Sequence, residues 1–246
     1  MKKDTQSYHE HDKDYQTVFN LENSIKRIEE YDEMDIFTKN GFAEAVEGAK
    51  KNADVHIDIG CGTGWLLLKT SPYFKRVIGI DPSEHAILSA REITKEYPNV
   101  EYQNKDMLDG LETLKVTEPI FITTAVVLSH IKDYYVKEFL KILNTLPNGS
   151  VLFFNEPYGT NIQQNMWHVR NKKWWADNLE EWDLIFKDHS GIYTHGIYGV
   201  KVGKENRTKI YIMSPREHVK WTIQGISTKI KRFFRGAKRV LVNSRK

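Results

Sequence analysis

Val55–His56–Ile57–Asp58–Ile59–Gly60–Cys61–Gly62–Thr63–Gly64 decides the reading of this chain. A short apolar run carries an acid near its end and gives way to three glycines at alternate positions. A strand that enters such a turn and leaves it as a helix brings backbone N–H groups close to a ligand, because glycine has no Cβ to hold it off. The next apolar run, Val77–Ile78–Gly79–Ile80, is closed by Asp81. An acid at the end of that strand suits the two hydroxyls of a ribose. Together these features predict a site for a nucleoside-containing cofactor.

The spacing narrows the choice. A dinucleotide turn reads G-x-G-x-x-G and rests a pyrophosphate on the helix N-terminus. Here the glycines read G-x-G-x-G, with Asp58 two residues before the first of them. A carboxylate in that place repels a pyrophosphate and attracts an ammonium group. The pattern Asp58-x-Gly60-x-Gly62-x-Gly64, with Asp81 and then Asp106 closing the next two strands, resembles motif I and the later strand-end acids of the class I S-adenosylmethionine (SAM) methyltransferases. Their cofactor carries a methionine amine and no phosphate. The resemblance covers about residues 50–156 well and the remainder only by the order of elements.

That resemblance implies a Rossmann-like, doubly wound α/β fold. Its sheet would be seven-stranded and mainly parallel, ending in an antiparallel hairpin. It also implies roles. Gly60 and Gly62 let the backbone approach the methionine and ribose parts, and Asp58 lies near the amine. Asp81 takes the ribose hydroxyls and Pro82 touches the adenine face. Asp106 accepts from the adenine amino group, with the Met107 N–H at the ring edge. Thr124 and Ala125 border the methionine moiety.

The coarse pattern agrees. Strands are expected at 55–59, 77–80, 100–103, 120–126 and 150–155, with helices from about 65, over 84–96 and over 134–144. That alternation gives crossovers and a parallel sheet. Residues 1–51 form an N-terminal helical cap. In it Phe19, Ile25, Ile28 and Tyr31 make one loose apolar set, and Phe37, Phe42, Ala45 and Val46 another. Residues 52–213 form the cofactor-binding domain, with 157–190 inserted as a cover over the acceptor. Apolar runs around Tyr193–Val202 and Lys209–Met213 read as the terminal hairpin, although 183–187 also reads as a strand.

Methyl transfer from a sulfonium needs an aligned nucleophile, and an alcohol acceptor also needs a base. His130, after the fourth strand, is the best-placed base, with a purely pocket-shaping role as its alternative. Glu156 and Tyr158, after the fifth strand, are the next candidates. His168 and His195 suit packing or surface roles better. Trp167, Trp174, Trp175 and Trp182 read either as ordinary packing or as a stacking wall for a sugar or aromatic acceptor. Asn155–Glu156–Pro157–Tyr158 superficially matches the N-P-P-Y motif of adenine and glutamine N-methyltransferases. It follows the wrong strand and has Glu for the first Pro, so that reading is rejected. The acids of a catechol-type metal site are not in the matching pattern, and no catalytic metal is expected.

Composition sets the bounds. With 40% apolar and 28% charged residues the chain is globular rather than disordered. Cys61, the sole cysteine, cannot form an internal disulfide, which favours a reducing, cytoplasmic setting. The charged N-terminus has no apolar signal core. Residues 214–246 carry ten Lys/Arg against one acid, Glu217, so the body before them is net acidic. A basic face removed from the cleft argues against nucleic acid as substrate. Ser214–Pro215–Arg216–Glu217 reads as a capping box opening a helix whose stripe includes Val219, Ile223, Ile226, Ile230 and Phe233. Such a helix needs a surface: the protein itself, a second copy, or an anionic membrane at its inner face.

The expectation is a SAM-dependent methyltransferase acting on a hydroxyl of a small molecule or glycan, such as a lipid-linked or capsular polysaccharide. The alternatives are an N- or carboxyl-methyltransferase of a small metabolite, and a non-catalytic SAM-binding partner protein.

Overall fold

The computed structural model describes residues 20–34, 41–157, 162–164, 167–187, 195–206 and 210–213. Tyr158 and the basic segment 214–246 lie outside them. Five parallel strands form the framework: β1 (Val55–Ile59), β2 (Arg76–Asp81), β3 (Val100–Asn104), β4 (Ile120–Ala125) and β5 (Val151–Glu156). Two helices precede them, α1 (Leu21–Met34) and α2 (Phe42–Ala49). Four more connect them: α3 (Trp65–Thr70), α4 (Glu84–Ile93), α5 (Met107–Leu114) and α6 (Asp133–Asn144). After β5 come β6 (Ile162–Gln164), β7 (Trp167–Val169), α7 (Lys172–Asn178), β8 (Trp182–Lys187), β9 (His195–Lys201) and β10 (Ile210–Met213).

The strand order is β3-β2-β1-β4-β5-β9-β8-β10, with β6 and β7 paired apart as a small antiparallel hairpin. Within the large sheet only β9 runs against its neighbours, β5 and β8. This is the expected doubly wound, mainly parallel architecture with one strand more. The antiparallel edge pair is β8 with β9, and β10 adds parallel to the far side of β8. The hairpin expected between 193–202 and 209–213 is therefore corrected, because 182–187 lies between those two runs. The same placement moves 182–187 out of the expected cover and into the sheet.

Period-2 alternation fills both faces. Ile57 and Ile59 of β1, Ile78 and Ile80 of β2, Ile122 of β4 and Phe154 of β5 face one cluster with α5, α6 and α7. Val77, Phe121 and Phe153 face the other with α2 and α3. Phe42, Ala45 and Val46 supply the buried stripe of α2 as expected, whereas Ile25 of α1 is 47% exposed. Ile28 of the same set packs against the second cluster, and Asp32 adds a polar anchor for α1, accepting from Trp65 Nε1 (3.0 Å) and Lys69 Nζ (2.8 Å) beside the glycine turn. No helix among the described residues is long and apolar enough to cross a membrane.

Candidate active site

The strand order reverses at β1, flanked by β2 and β4, and ligands of open α/β sheets sit beyond the carboxyl ends at such a point. The turn after β1 is closed by Gly60 N–H and Cys61 N–H, both donating to Ile80 O (2.7 and 3.2 Å). Gly60 has φ +66° and Gly62 φ +48°, a region that L side chains avoid. A Cβ on Gly60 would also overlap the Val127 side chain, so the turn and the loop after β4 fit only around glycine.

Asp58 and Asp81 stand on either side of this turn. Asp81 is buried and binds the turn itself: Oδ2 accepts from Gly62 N–H (2.9 Å) and Oδ1 from Ser83 N–H (2.8 Å). Burial pushes its pKa up to about 6, against the pull of those two amides. Asn104 Nδ2 donates to the carbonyls of Asp81 and Pro82 (3.1 and 3.0 Å) and fixes the rim, with Pro82 exposed. Asp58 is buried and accepts from Thr123 Oγ1 at 2.5 Å, with no cation beside it among the described residues. Burial pushes its pKa up to about 8, the Thr123 bond opposes that, and the nearby Asp81 adds to it. A carboxyl so placed lacks a positive partner, which a ligand's ammonium would supply.

Asp106 caps α5, with Oδ1 accepting from Leu108 and Asp109 N–H (2.9 and 3.0 Å). Its role as a cap is independent of any ligand, and it is half-buried beside the buried Met107. Ala125 is half-buried at the tip of β4. The acids and glycines therefore do converge on one rim.

The candidate catalytic residues separate. Glu156 is the last residue of β5, 0% exposed, and Oε1 accepts from Thr124 Oγ1 (3.0 Å), Val127 N–H (2.9 Å) and Leu128 N–H (3.0 Å). Its Oε2 accepts from Ser129 N–H at 3.1 Å. A sealed carboxylate with four donors positions the turn after β4 and presents no face to an acceptor. Thr124 likewise turns its hydroxyl inward to Glu156. His130 is exposed on the short 3-10 turn Leu128–His130.

Sequence reasoning missed Arg170, which completes the clamp from the other side. Its guanidinium donates to Leu128 O (2.7 Å), Ile131 O (2.5 Å), His168 O (3.1 Å) and Asp133 Oδ1 (2.9 Å). It is 1% exposed and lies over the rings of Trp174 and Trp175 (4.9 and 5.9 Å). Glu156 thus takes the amides of residues 127–129 and Arg170 the carbonyls of 128 and 131. The carbonyl bond to His168 ties the β7 hairpin to the same turn, and burial together with the Arg170 charge lowers the pKa of His168. The tryptophans pack: Trp175 and Trp182 are core residues and Trp174 lies under Arg170. The stacking wall is withdrawn for these three; the Trp167 and His195 side chains lie outside the described residues. Among the described residues no three His, Cys, Asp or Glu side chains gather as a metal site.

A glycine turn flanked by two buried acids, at the switch point of a doubly wound sheet, is the arrangement expected of the class I SAM methyltransferase fold. Residues 34–195 match the family model described as a methyltransferase domain. The chain belongs to that family and is a SAM-dependent methyltransferase. A stretch of 40 residues is 52% identical to the probable S-adenosylmethionine-dependent methyltransferase CRG1 of Saccharomyces cerevisiae, but it spans 16% of this chain and 14% of that protein. Among solved structures, a SAM-dependent methyltransferase from Leishmania major is similar in fold (TM-score 0.59, 14% identity, 79% of this chain and 82% of that one). So are one from Clostridium acetobutylicum (0.56, 15%, 75% and 100%) and the N-methyltransferase NodS from Bradyrhizobium japonicum with S-adenosyl-L-homocysteine (0.53, 19%, 71% and 87%).

Proposed function

We propose that this methyltransferase acts on a hydroxyl of a small molecule, free or as part of a glycan, and that His130 accepts the proton the hydroxyl gives up. The observation that carries the reading is the mounting of His130: an exposed imidazole on a turn gripped at its amides by Glu156 and at its carbonyls by Arg170. SAM supplies an electrophilic methyl group on sulfonium and needs no activation from the protein. The chain's own residues have three tasks. Asp58 faces the ammonium end and Asp81 the ribose hydroxyls, while Pro82, Asp106 and the Met107 N–H border the adenine. Gly60 and Gly62 keep the backbone close, with Ala125 at the methionine side. His130 then removes a proton as the new bond forms, a contribution that is typically about 10²–10⁴-fold for a positioned base. An amine or carboxylate acceptor has no such need.

The test is transfer of labelled methyl from SAM to panels of alcohols and sugars, amines and carboxylic acids, by wild type and His130→Ala. The reading expects alkali-stable ether products, and in His130→Ala a loss of about a hundredfold or more with cofactor affinity unchanged. Full turnover in the variant, or transfer to amines alone, refutes it.

A further inference from the structure

A string of hydrogen bonds runs inward from Asp58 and ends in the body of α3. Thr123 pairs with Asp58 across the β1–β4 ladder, and His56 stands two residues earlier on the same face of β1. Thr123 Oγ1 is 2.5 Å from Asp58 Oδ1 and 2.8 Å from His56 Nε2. His56 Nδ1 is 2.7 Å from Thr70 Oγ1, which is 2.8 Å from Leu66 O. His56, Thr123 and Thr70 are all 0% exposed. The other close neighbours of the imidazole are the Phe74 and Phe121 rings, at 5.6 and 4.9 Å. Burial lowers the His56 pKa to about 3, so the ring is neutral and carries one N–H.

With a single proton on each hydroxyl and one on the ring, the string has two complete arrangements. If Asp58 is protonated, it donates to Thr123, Thr123 to Nε2, Nδ1–H to Thr70, and Thr70 to Leu66 O. If Asp58 is ionised, the three links between side chains reverse and the bond to Leu66 O is given up: Thr70 donates to Nδ1, Nε2–H to Thr123, and Thr123 to the carboxylate. A mixed arrangement leaves two donors or two acceptors face to face, which is costly in a dry interior.

We propose that this string is part of the cofactor's ammonium site, and that binding of the cofactor ionises Asp58 and switches His56 from its Nδ1–H to its Nε2–H tautomer. The inference rests on the SAM-site reading of Asp58. One proton leaves Asp58 for bulk water; the Thr123 and Thr70 hydroxyls turn about, and the ring gives up its Nδ1–H bond and forms an Nε2–H bond, so that Thr123, His56 and Thr70 still hold one proton each. The titratable groups facing Asp58 are Asp81, the Cys61 thiol and the Tyr102 hydroxyl. Burial pushes the last two up and keeps them neutral, so Asp81 is the like charge that opposes ionisation until a cation arrives. The residues behind Asp58 thereby favour a charged ammonium over a neutral ligand of the same shape, because only the cation draws the string into its second arrangement.

The experiment uses full-length protein with S-adenosylhomocysteine as probe. Two-bond ¹H–¹⁵N spectra of the assigned His56 ring should show Nδ1–H without the probe and Nε2–H with it. Calorimetry at pH 7 in buffers of different ionisation enthalpy should show release of about one proton per probe, absent in Asp58→Asn. Thr123→Val should leave one His56 tautomer in both states and weaken binding about tenfold or more, with Thr123→Ser restoring both. Binding with an unchanged His56 tautomer, or without proton release, overturns the switch and leaves the cofactor site standing. Failure of folded wild type to bind the probe overturns both.

Discussion

Replacing Glu156 with Gln changes one oxygen to NH₂ and removes one charge at nearly constant volume, in a pocket with no exposure. The better carboxamide orientation keeps Oε1 on Thr124, Val127 and Leu128 and turns the NH₂ toward the Ser129 N–H. That leaves a buried donor facing a donor, at about 1–3 kcal/mol. The three remaining bonds lose their charge assistance, which makes up roughly half the strength of such bonds. Arg170 also loses the nearby negative charge that favours its own. We expect a net loss of about 3 kcal/mol in urea unfolding, with retained far-UV circular dichroism and weaker S-adenosylhomocysteine binding, since the loosened turn carries the Val127 that packs on Gly60. A loss below about 1 kcal/mol accompanied by collapse of turnover would refute the reasoning, because it would mean that the carboxylate acts on the acceptor.

Arg170→Lys keeps the charge but not the fork, so at most part of the set of Leu128 O, Ile131 O, His168 O and Asp133 is satisfied; unfolding should ease by about 2–4 kcal/mol, and a loss within about 0.5 kcal/mol would contradict the clamp. Asp58 predicts a pH slope in the cofactor-free protein. Its folded pKa of about 8 lies above the ordinary 3.8, so between those values the native state holds a proton that the unfolded chain has released, and stability falls as pH rises. Asp58→Asn removes that contribution and should stabilise the cofactor-free protein at pH 8 by on the order of 3 kcal/mol while weakening cofactor binding; melting curves parallel to wild type from pH 5 to 8 would contradict it.

The rim was legible in the sequence because its signals are local. Asp58, Gly60, Gly62, Asp81 and Asp106 each lie within about three residues of a strand end, and strand ends follow from the period-2 apolar runs. The clamp was not legible. Glu156 acts on main-chain amides of a loop 27–29 residues away, and amides leave no mark in a side-chain pattern. Arg170 sits in Val169–Arg170–Asn171–Lys172–Lys173, where nothing separates a buried guanidinium from its solvated neighbours. The edge of the sheet was misread for another reason. The polar run 203–207 has the length of a hairpin loop, but pairing is set by which run buries Trp182, Leu184 and Phe186, and that depends on the whole face. His56 reads as one polar residue in an apolar strand, and only the register of β1 with β4 brings it to Thr123.

Equilibrium dialysis of the full-length protein against methyl-labelled SAM tests the central claim most directly. Wild type should bind one equivalent, and Asp81→Ala, with unchanged circular dichroism, should bind about a hundredfold more weakly, as expected when the ribose hydroxyls lose the carboxylate that accepts from them and the turn loses its hold on Gly62 and Ser83 N–H. Full affinity in Asp81→Ala, or no binding by folded wild type, would contradict the placement of SAM in the glycine turn.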